Sequence, residues 1–393
     1  MLVLHSIVHA LAIAGMMTWD ILWSLILGFI LSAVVQAVVR KRTIARLLGD
    51  TRPKTLAVAA GLGVASSSCS YAAVAISRSL FRQGASFTSA MVFEIASTNL
   101  VVELGIIMAL LLGWQFTLAE FVGGPLMIIL LAVFYRLFLR KKILEAAHKQ
   151  AEAGIAGSME GHAAMDMSVS QPGTVWERLR SAEGKTSVSH IFVMEVAAVW
   201  KDIVGGLLIA GAVAAWIPAS FFRVLFFAGH PLASRIWGPV IGPIISLLSF
   251  VCSIGNVPLA AVLWNDGISF GGVVSFIFAD LIIIPILLIY RKYYGTKMML
   301  FILGSFYVTM VIAGGLTELI FGTLNLVPQS HHVAAITGQH ISFNYTSGLN
   351  ILFVALAGWL VYRFIKTGAL PMLKMMGGKP ASQIHEHTGA HSG

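Results

Sequence analysis

Charge is scarce in this chain. Asp, Glu, Lys and Arg together make up 11% of 393 residues, against about 25% in a soluble domain. Hydrophobic residues reach 58% and mean hydropathy is +0.86. A water-soluble fold could not hide that much apolar surface, so the expected solvent is lipid. Cysteine is scarcer still: only Cys69 and Cys252 are present, too few for a disulfide framework. No basic stretch precedes the first apolar run, so no cleavable signal is expected there. The spans hold no HExxH and no evident Ser/His or paired-Asp arrangement, which argues against an intramembrane enzyme. Gly184-Lys185-Thr186 lacks the earlier glycine of a P-loop, which argues against an ATPase. No cofactor and no metal centre is expected.

What the chain does contain is apolar runs of membrane-crossing length, each needing about 20 residues. Seven full spans are read at 21–39, 86–114, 116–139, 203–218, 268–290, 299–321 and 349–365. Residues 1–17 read as an interfacial helix or an extension of the first span. Two further apolar stretches, about 56–82 and 237–265, are interrupted. The first carries Gly61, Gly63 and the run Ser66-Ser67-Ser68-Cys69-Ser70. The second carries Gly238, Pro239, Gly242, Pro243, Gly255 and Pro258. Residues 140–190 are polar and rich in Gly, Ser, Ala and Met, and read as a flexible linker. The expected division is therefore a first membrane repeat at 1–139, the linker at 140–190, a second repeat plus final span at 191–366, and a polar His-containing tail at 367–393.

The net charge of +9 comes from 26 Lys and Arg against 17 Asp and Glu. In a soluble protein this would suggest nucleic acid; here it is read through the excess of Lys and Arg in cytoplasmic loops. If each interrupted stretch is a hairpin that enters and leaves on one face, only Arg223 and Arg235 fall outside. If each crosses once, the basic residues divide far more evenly. The hairpin topology is preferred, with linker and tail cytoplasmic in a bacterial-type inner membrane. Broken backbone at mid-membrane is tolerated only against protein or a wet cavity.

The two interrupted stretches align with each other. A shift of 183 residues places Cys69 on Cys252, Ser70 on Ser253, Val74 on Val257, Leu80 on Leu263 and Gly84 on Gly267. It continues through Ser86-Phe87 on Ser269-Phe270, Phe93 on Phe276 and Ala96 on Ala279. With hairpins opening to opposite faces, the fold class expected is an all-α polytopic bundle with an inverted repeat, the architecture of many secondary transporters.

Candidate chemistry lies at the hairpin tips. Ser68, Cys69, Ser70, Cys252, Ser253 and Asn256 would meet near the midplane, where half-helix ends present unpaired backbone dipoles. Two thiols suit a soft, thiophilic solute, although a free Cys is commonly no more than a small buried hydrophobe. Asn99 would line the path beside Ser97 and Thr98. Acids inside apolar spans form the second signal. Glu94, Glu103 and Asp280 are candidates for proton coupling, with Glu318 a further intramembrane acid; structural carboxylates hydrogen-bonded to neighbouring helices are the plain alternative. Glu120, near a span end, reads as interfacial. His385, His387 and His391 read as a solvated tail.

The motifs carry a resemblance. Cys69-Ser70 in a Ser/Gly-rich hairpin, followed by Arg82-Gln83-Gly84-Ala85-Ser86, resembles the predicted-permease family that includes the YraQ-type proteins and the ArsP organoarsenical exporters. So do Val257-Pro258-Leu259-Ala260-Ala261 through Gly267-Ile268-Ser269, and Ala96-Ser97-Thr98-Asn99. The likeness covers roughly residues 20–370. It implies a permease fold and, in the ArsP branch, export of trivalent organoarsenicals. Where many relatives carry Cys-Ser-Cys, this chain has Ser67-Ser68-Cys69. The expectation is a permease, not an enzyme, exporting a small thiophilic metal, metalloid or organoarsenical solute. Its partners would be the lipid bilayer, that solute and, as a homo-oligomer, further copies of itself. An intramembrane enzyme, a passive channel and a non-transporting sensor are the alternatives.

Overall fold

The computed structural model of the protein describes residues 2–38, 47–67, 70–152, 174–227, 229–249, 253–328 and 345–371. Every regular element among them is helical. In chain order these are α1 Leu2–Val38, α2 Pro53–Ser66, α3 Ser70–Arg82, α4 Phe87–Asn99, α5 Val102–Leu111 and α6 Trp114–Phe138. Then come α7 Lys141–Glu152, α8 Val175–Arg180, α9 Ala182–Trp216, α10 Ala219–Leu225, α11 Pro231–Ser249, α12 Ser253–Asn265 and α13 Phe270–Phe278. A 3-10 turn at Ala279–Leu281 leads to α14 Ile284–Tyr294, α15 Thr296–Thr323 and α16 Tyr345–Lys366. Among the described residues, four helices can cross a membrane by length and composition, or up to seven if each bent pair is one span. An all-α polytopic membrane protein is the result.

One expectation is resolved in favour of one of its two alternatives, and another changes. The N-terminal apolar residues continue into the first span: α1 is a single helix with a bend of 50° between Ser6–Trp19 and Ile21–Leu31. The stretch read as a flexible linker is helical at both described ends, in α7, α8 and the first turns of α9. Capping explains the second end. Thr174 and Glu177 form a capping box on α8, and Ser181 accepts the Gly184 N–H at the start of α9. Residues 153–173 lie outside the described residues.

The 183-residue register persists in the elements. Helices α3 and α12 begin and end at matched positions, and so do the turns that follow. Gly84 and Gly267 take φ of +102° and +101°, a conformation that favours glycine. Ser86 and Ser269 then cap α4 and α13 through the Ser89 and Gly272 N–H groups. Each half continues into a bent span, by 40° between α4 and α5 and by 41° between α13 and α14, and then into a long helix, α6 or α15.

Close backbone approaches hold the hairpin arms to the bent spans. A Cβ on Gly63 would sit 2.4 Å from the Phe93 carbonyl oxygen, and one on Gly242 2.5 Å from that of Gly272. Helix α11 is 19 residues long and can cross a membrane by length and composition. Its Gly238, however, already packs against Ser269, at the start of α13. Counted from that level to Ser249, the inward arm rises about 17 Å at 1.5 Å per residue. That is little more than half of a hydrocarbon core of about 30 Å.

Aromatic contacts set the two turns at opposite ends of one helix. Phe81 and Phe87 gather with Tyr294, and Phe87 stacks on Tyr135 at 5.9 Å. Trp264 and Phe270 pack on Phe116 at 5.0 and 4.6 Å. Phe116 and Tyr135 lie at opposite ends of α6. The nineteen-residue step between them spans about 28 Å of helix, close to the thickness of a bilayer core. Helix α7 covers the Tyr135 end, where Arg78 donates to the Ala151 carbonyl at 2.8 Å and lies 4.4 Å from the Tyr293 ring centroid.

Candidate functional site

Helices α3 and α12 start within hydrogen-bond distance of each other. Their first residues, Ser70 and Ser253, have hydroxyl oxygens 2.9 Å apart. Both hydroxyls donate to one oxygen of Asp280, Oδ2, each at 2.6 Å. Ser70 and Asp280 are fully buried and Ser253 nearly so. The physics of the junction follows from its parts. A helix start leaves backbone N–H groups unpaired and carries a positive dipole end. The first described residues of α3 and α12 converge on a carboxylate that sits where its own span breaks into a 3-10 turn. The charge that would be costly in an apolar interior meets donors there.

Asn99 ends α4 at the matching break in the first half. It lies beside Asp280 and donates to Thr98 Oγ1 at 3.2 Å. Asn256 closes the second tip on itself: its amide donates to Ser246 at 3.0 Å, and its Oδ1 accepts from Ser249 at 3.4 Å. Ser68, Cys69 and Cys252 lie outside the described residues. Thus Ser70, Ser253 and Asn99 gather around Asp280, while Asn256 braces the second hairpin.

The other acids separate. Glu94 is fully buried and accepts a short hydrogen bond from the Tyr290 hydroxyl. Glu103, in the first turn of α5, packs against Gly28 of α1, where an added Cβ would lie 2.6 Å from its own; it does not share the Asp280 junction. Glu318 accepts from the Gly271 N–H at 2.6 Å and lies 3.6 Å from Arg235 Nε. It therefore serves the start of α13, as a helix N-terminus invites.

Glu120 requires a correction. It is not interfacial but fully buried in α6, and neither carboxylate oxygen has a hydrogen-bond partner among the described residues. It interacts electrostatically with Asp280. Counting residues from the span end missed it. A better signal was present: Gly123 and Gly124 follow at i+3 and i+4, so Glu120 shares a helical face with close-packing residues. Gly123 abuts the Phe278 ring and Thr317, and Gly124 abuts Leu100. Tyr290 was also missed, since nothing in the sequence ties it to Glu94.

Two cavities lie away from this junction. An apolar one of about 480 Å³ is lined by α1, α9 and α16 residues such as Phe29, Trp200 and Val361. Another of about 510 Å³ lies beside Phe134, Arg140 and Phe301.

Together these features define a multi-spanning helical membrane protein with a buried polar junction at the meeting point of two broken segments. The chain belongs to the family described as predicted permease, whose model matches residues 6–319. A relative in Mycobacterium tuberculosis (strain ATCC 25618 / H37Rv), named "Putative permease Rv2963", is 64% identical over 385 residues, covering 98% of this chain and 94% of that protein. No solved structure matches the chain. It is accordingly a membrane permease.

Proposed function

We propose that this permease exports a small thiophilic solute, a trivalent organoarsenical or a related metal or metalloid species, through the junction of the two hairpin tips. The observation that carries this reading is the Ser70–Ser253–Asp280 cluster. It joins helix starts from two segments whose turns emerge at opposite ends of α6. An inverted repeat of this kind gives alternating access by rocking one half against the other. The buried state of Ser70, Ser253, Asn99 and Asp280 fits a closed conformation between two open ones.

Cys69 and Cys252 precede Ser70 and Ser253 in the chain. Their thiolates would supply the soft ligands, and Ser68, the paired serines, Asn99 and Asn256 the polar ones. Glu94 and Asp280, with Glu103 on the neighbouring face, would carry protons that couple the movement. The Arg78 end faces the cytoplasm, together with the 140–190 stretch and the tail. The protein acts as a transporter, without enzymatic turnover.

The test is accumulation of methylarsonous acid, measured by elemental mass spectrometry in bacterial cells lacking their own arsenic exporters. Wild-type protein lowers intracellular arsenic. Cys69→Ser and Cys252→Ser abolish that effect, and so does Asp280→Asn, which keeps an acceptor oxygen but loses the charge. If both cysteine variants export like wild type, thiol ligation is wrong. If wild type changes the accumulation of no thiophilic metal or metalloid in a panel, the solute class is wrong.

A further inference from the structure

Three buried carboxylates are ordered along the bundle. Glu94 hydrogen-bonds Tyr290, which stacks near Tyr294 in the aromatic group at the Tyr135 end of α6. Glu120 stands one turn from Phe116, at the other end of that helix. Asp280 interacts electrostatically with both. Helix rise gives the same order: Glu94 is about 10 Å from the start of α4 at one end, and Glu120 about 9 Å from the start of α6 at the other.

The three acids differ in the donors around them. Glu94 is held through Oε1 with Ser77 nearby, and Asp280 through Oδ2 with Asn99 and the Leu281 N–H nearby, whereas neither oxygen of Glu120 has a hydrogen-bond partner among the described residues. Asn99 Oδ1, beside Asp280, is likewise bare and buried. A buried carboxylate without donors cannot stay charged at low cost; it takes up a proton. Helix α6 packs against α4, α5, α13 and α15. The acids on those elements and the following turn are Glu94, Glu103, Glu318 and Asp280, and the lysine is Lys297 at the far end of α15. Of these, Asp280 is the one with which Glu120 interacts.

We infer that Glu120 is a proton-binding site, the terminal member of a carboxylate relay Glu120–Asp280–Glu94 that crosses the bundle through the hairpin junction. A proton from the Phe116 end binds a Glu120 oxygen. Its O–H bond then breaks as one forms at Asp280 Oδ1, and the same exchange follows from Asp280 to Glu94 Oε2. Each transfer leaves the donor a carboxylate and passes over an intervening hydroxyl or water. The relay rests on the proposed proton coupling and adds a residue to it, but proton binding at Glu120 can be read without any solute.

The test has two arms. The first is pH-step infrared difference spectroscopy of the full chain in lipid, following the protonated-carboxyl C=O band. Glu120→Gln removes one component of that band, Glu120→Asp retains it shifted, and both variants stay monodisperse. A Glu120→Gln spectrum identical to wild type overturns the assignment. The second arm is uptake of methylarsonous acid by everted vesicles under an imposed pH gradient. Glu120→Gln slows it by about tenfold or more, and Glu120→Asp restores part of the rate. A gradient-driven rate equal to wild type overturns the relay. If wild type moves no methylarsonous acid, the solute proposal fails and the infrared arm alone decides the proton site.

Discussion

The transport reading requires the two hairpin turns to leave the membrane on opposite sides. The perturbation is a single cysteine at Gln83 or at Asp266, in a background carrying Cys69→Ser and Cys252→Ser. Gln83 is exposed in the turn after α3, and Asp266 partly exposed in the turn after α12. The magnitude comes from α6: the aromatic groups that seat the two turns are nineteen residues apart, or about 28 Å, which nearly equals a hydrocarbon core of about 30 Å. A turn cannot slide that far without dragging Phe81 or Trp264 from its cluster, so the sidedness should be all or none. The assay is a membrane-impermeant maleimide applied to intact and then to permeabilised cells. The cysteine at 266 labels in intact cells; the one at 83 labels only after permeabilisation. Labelling of both under the same condition would refute the opposed-hairpin geometry and the pathway built on it.

Two further predictions concern stability. Gly63→Ala and Gly242→Ala each force a methyl into a backbone carbonyl that cannot swing aside, so each should cost roughly 1–3 kcal/mol by overpacking. Gly61→Ala meets open space and should be neutral or stabilising, because alanine is the better helix former; equal melting temperatures for all three in detergent would contradict the packing. Asp266 lies in a turn where burial raises its carboxyl from 3.8 to about 6, against the opposing pull of Arg223. The folded state then holds the proton more tightly than the unfolded chain, so stability falls as pH rises between about 4 and 6. Asp266→Asn should flatten that part of the melting profile, and an unchanged slope would refute the assignment.

Much of the fold was legible because bilayer chemistry leaves few options. Apolar runs must become helices to satisfy their backbone, and a 183-residue register of small, apolar and turn residues carried the correspondence of α3 with α12. The glycines at 84 and 267 stand in that register, and both take positive φ. The described ends of the stretch read as a linker are helical because α7 buries Ala147 and Ala151 on one face and Thr174 caps α8, and a polar composition does not distinguish a surface helix from an unstructured chain. Glu120 was misread for a related reason: distance from a span end does not measure burial when the span sits inside a bundle.

The amino-acid sequence on its own determined that this protein lives in lipid, that it is helical, and that its two broken segments correspond. Those properties follow from solvent chemistry and from local backbone preference. Tertiary structure alone decided which acid meets which donor. Asp280 gathers Ser70 and Ser253, Glu94 finds Tyr290, Glu318 caps α13, Glu103 turns to α1, and Glu120 meets no hydrogen-bond donor among the described residues. Residues dozens to hundreds of positions apart become neighbours only when helices pack, and one helical face is chosen over another by where a glycine lets two backbones touch.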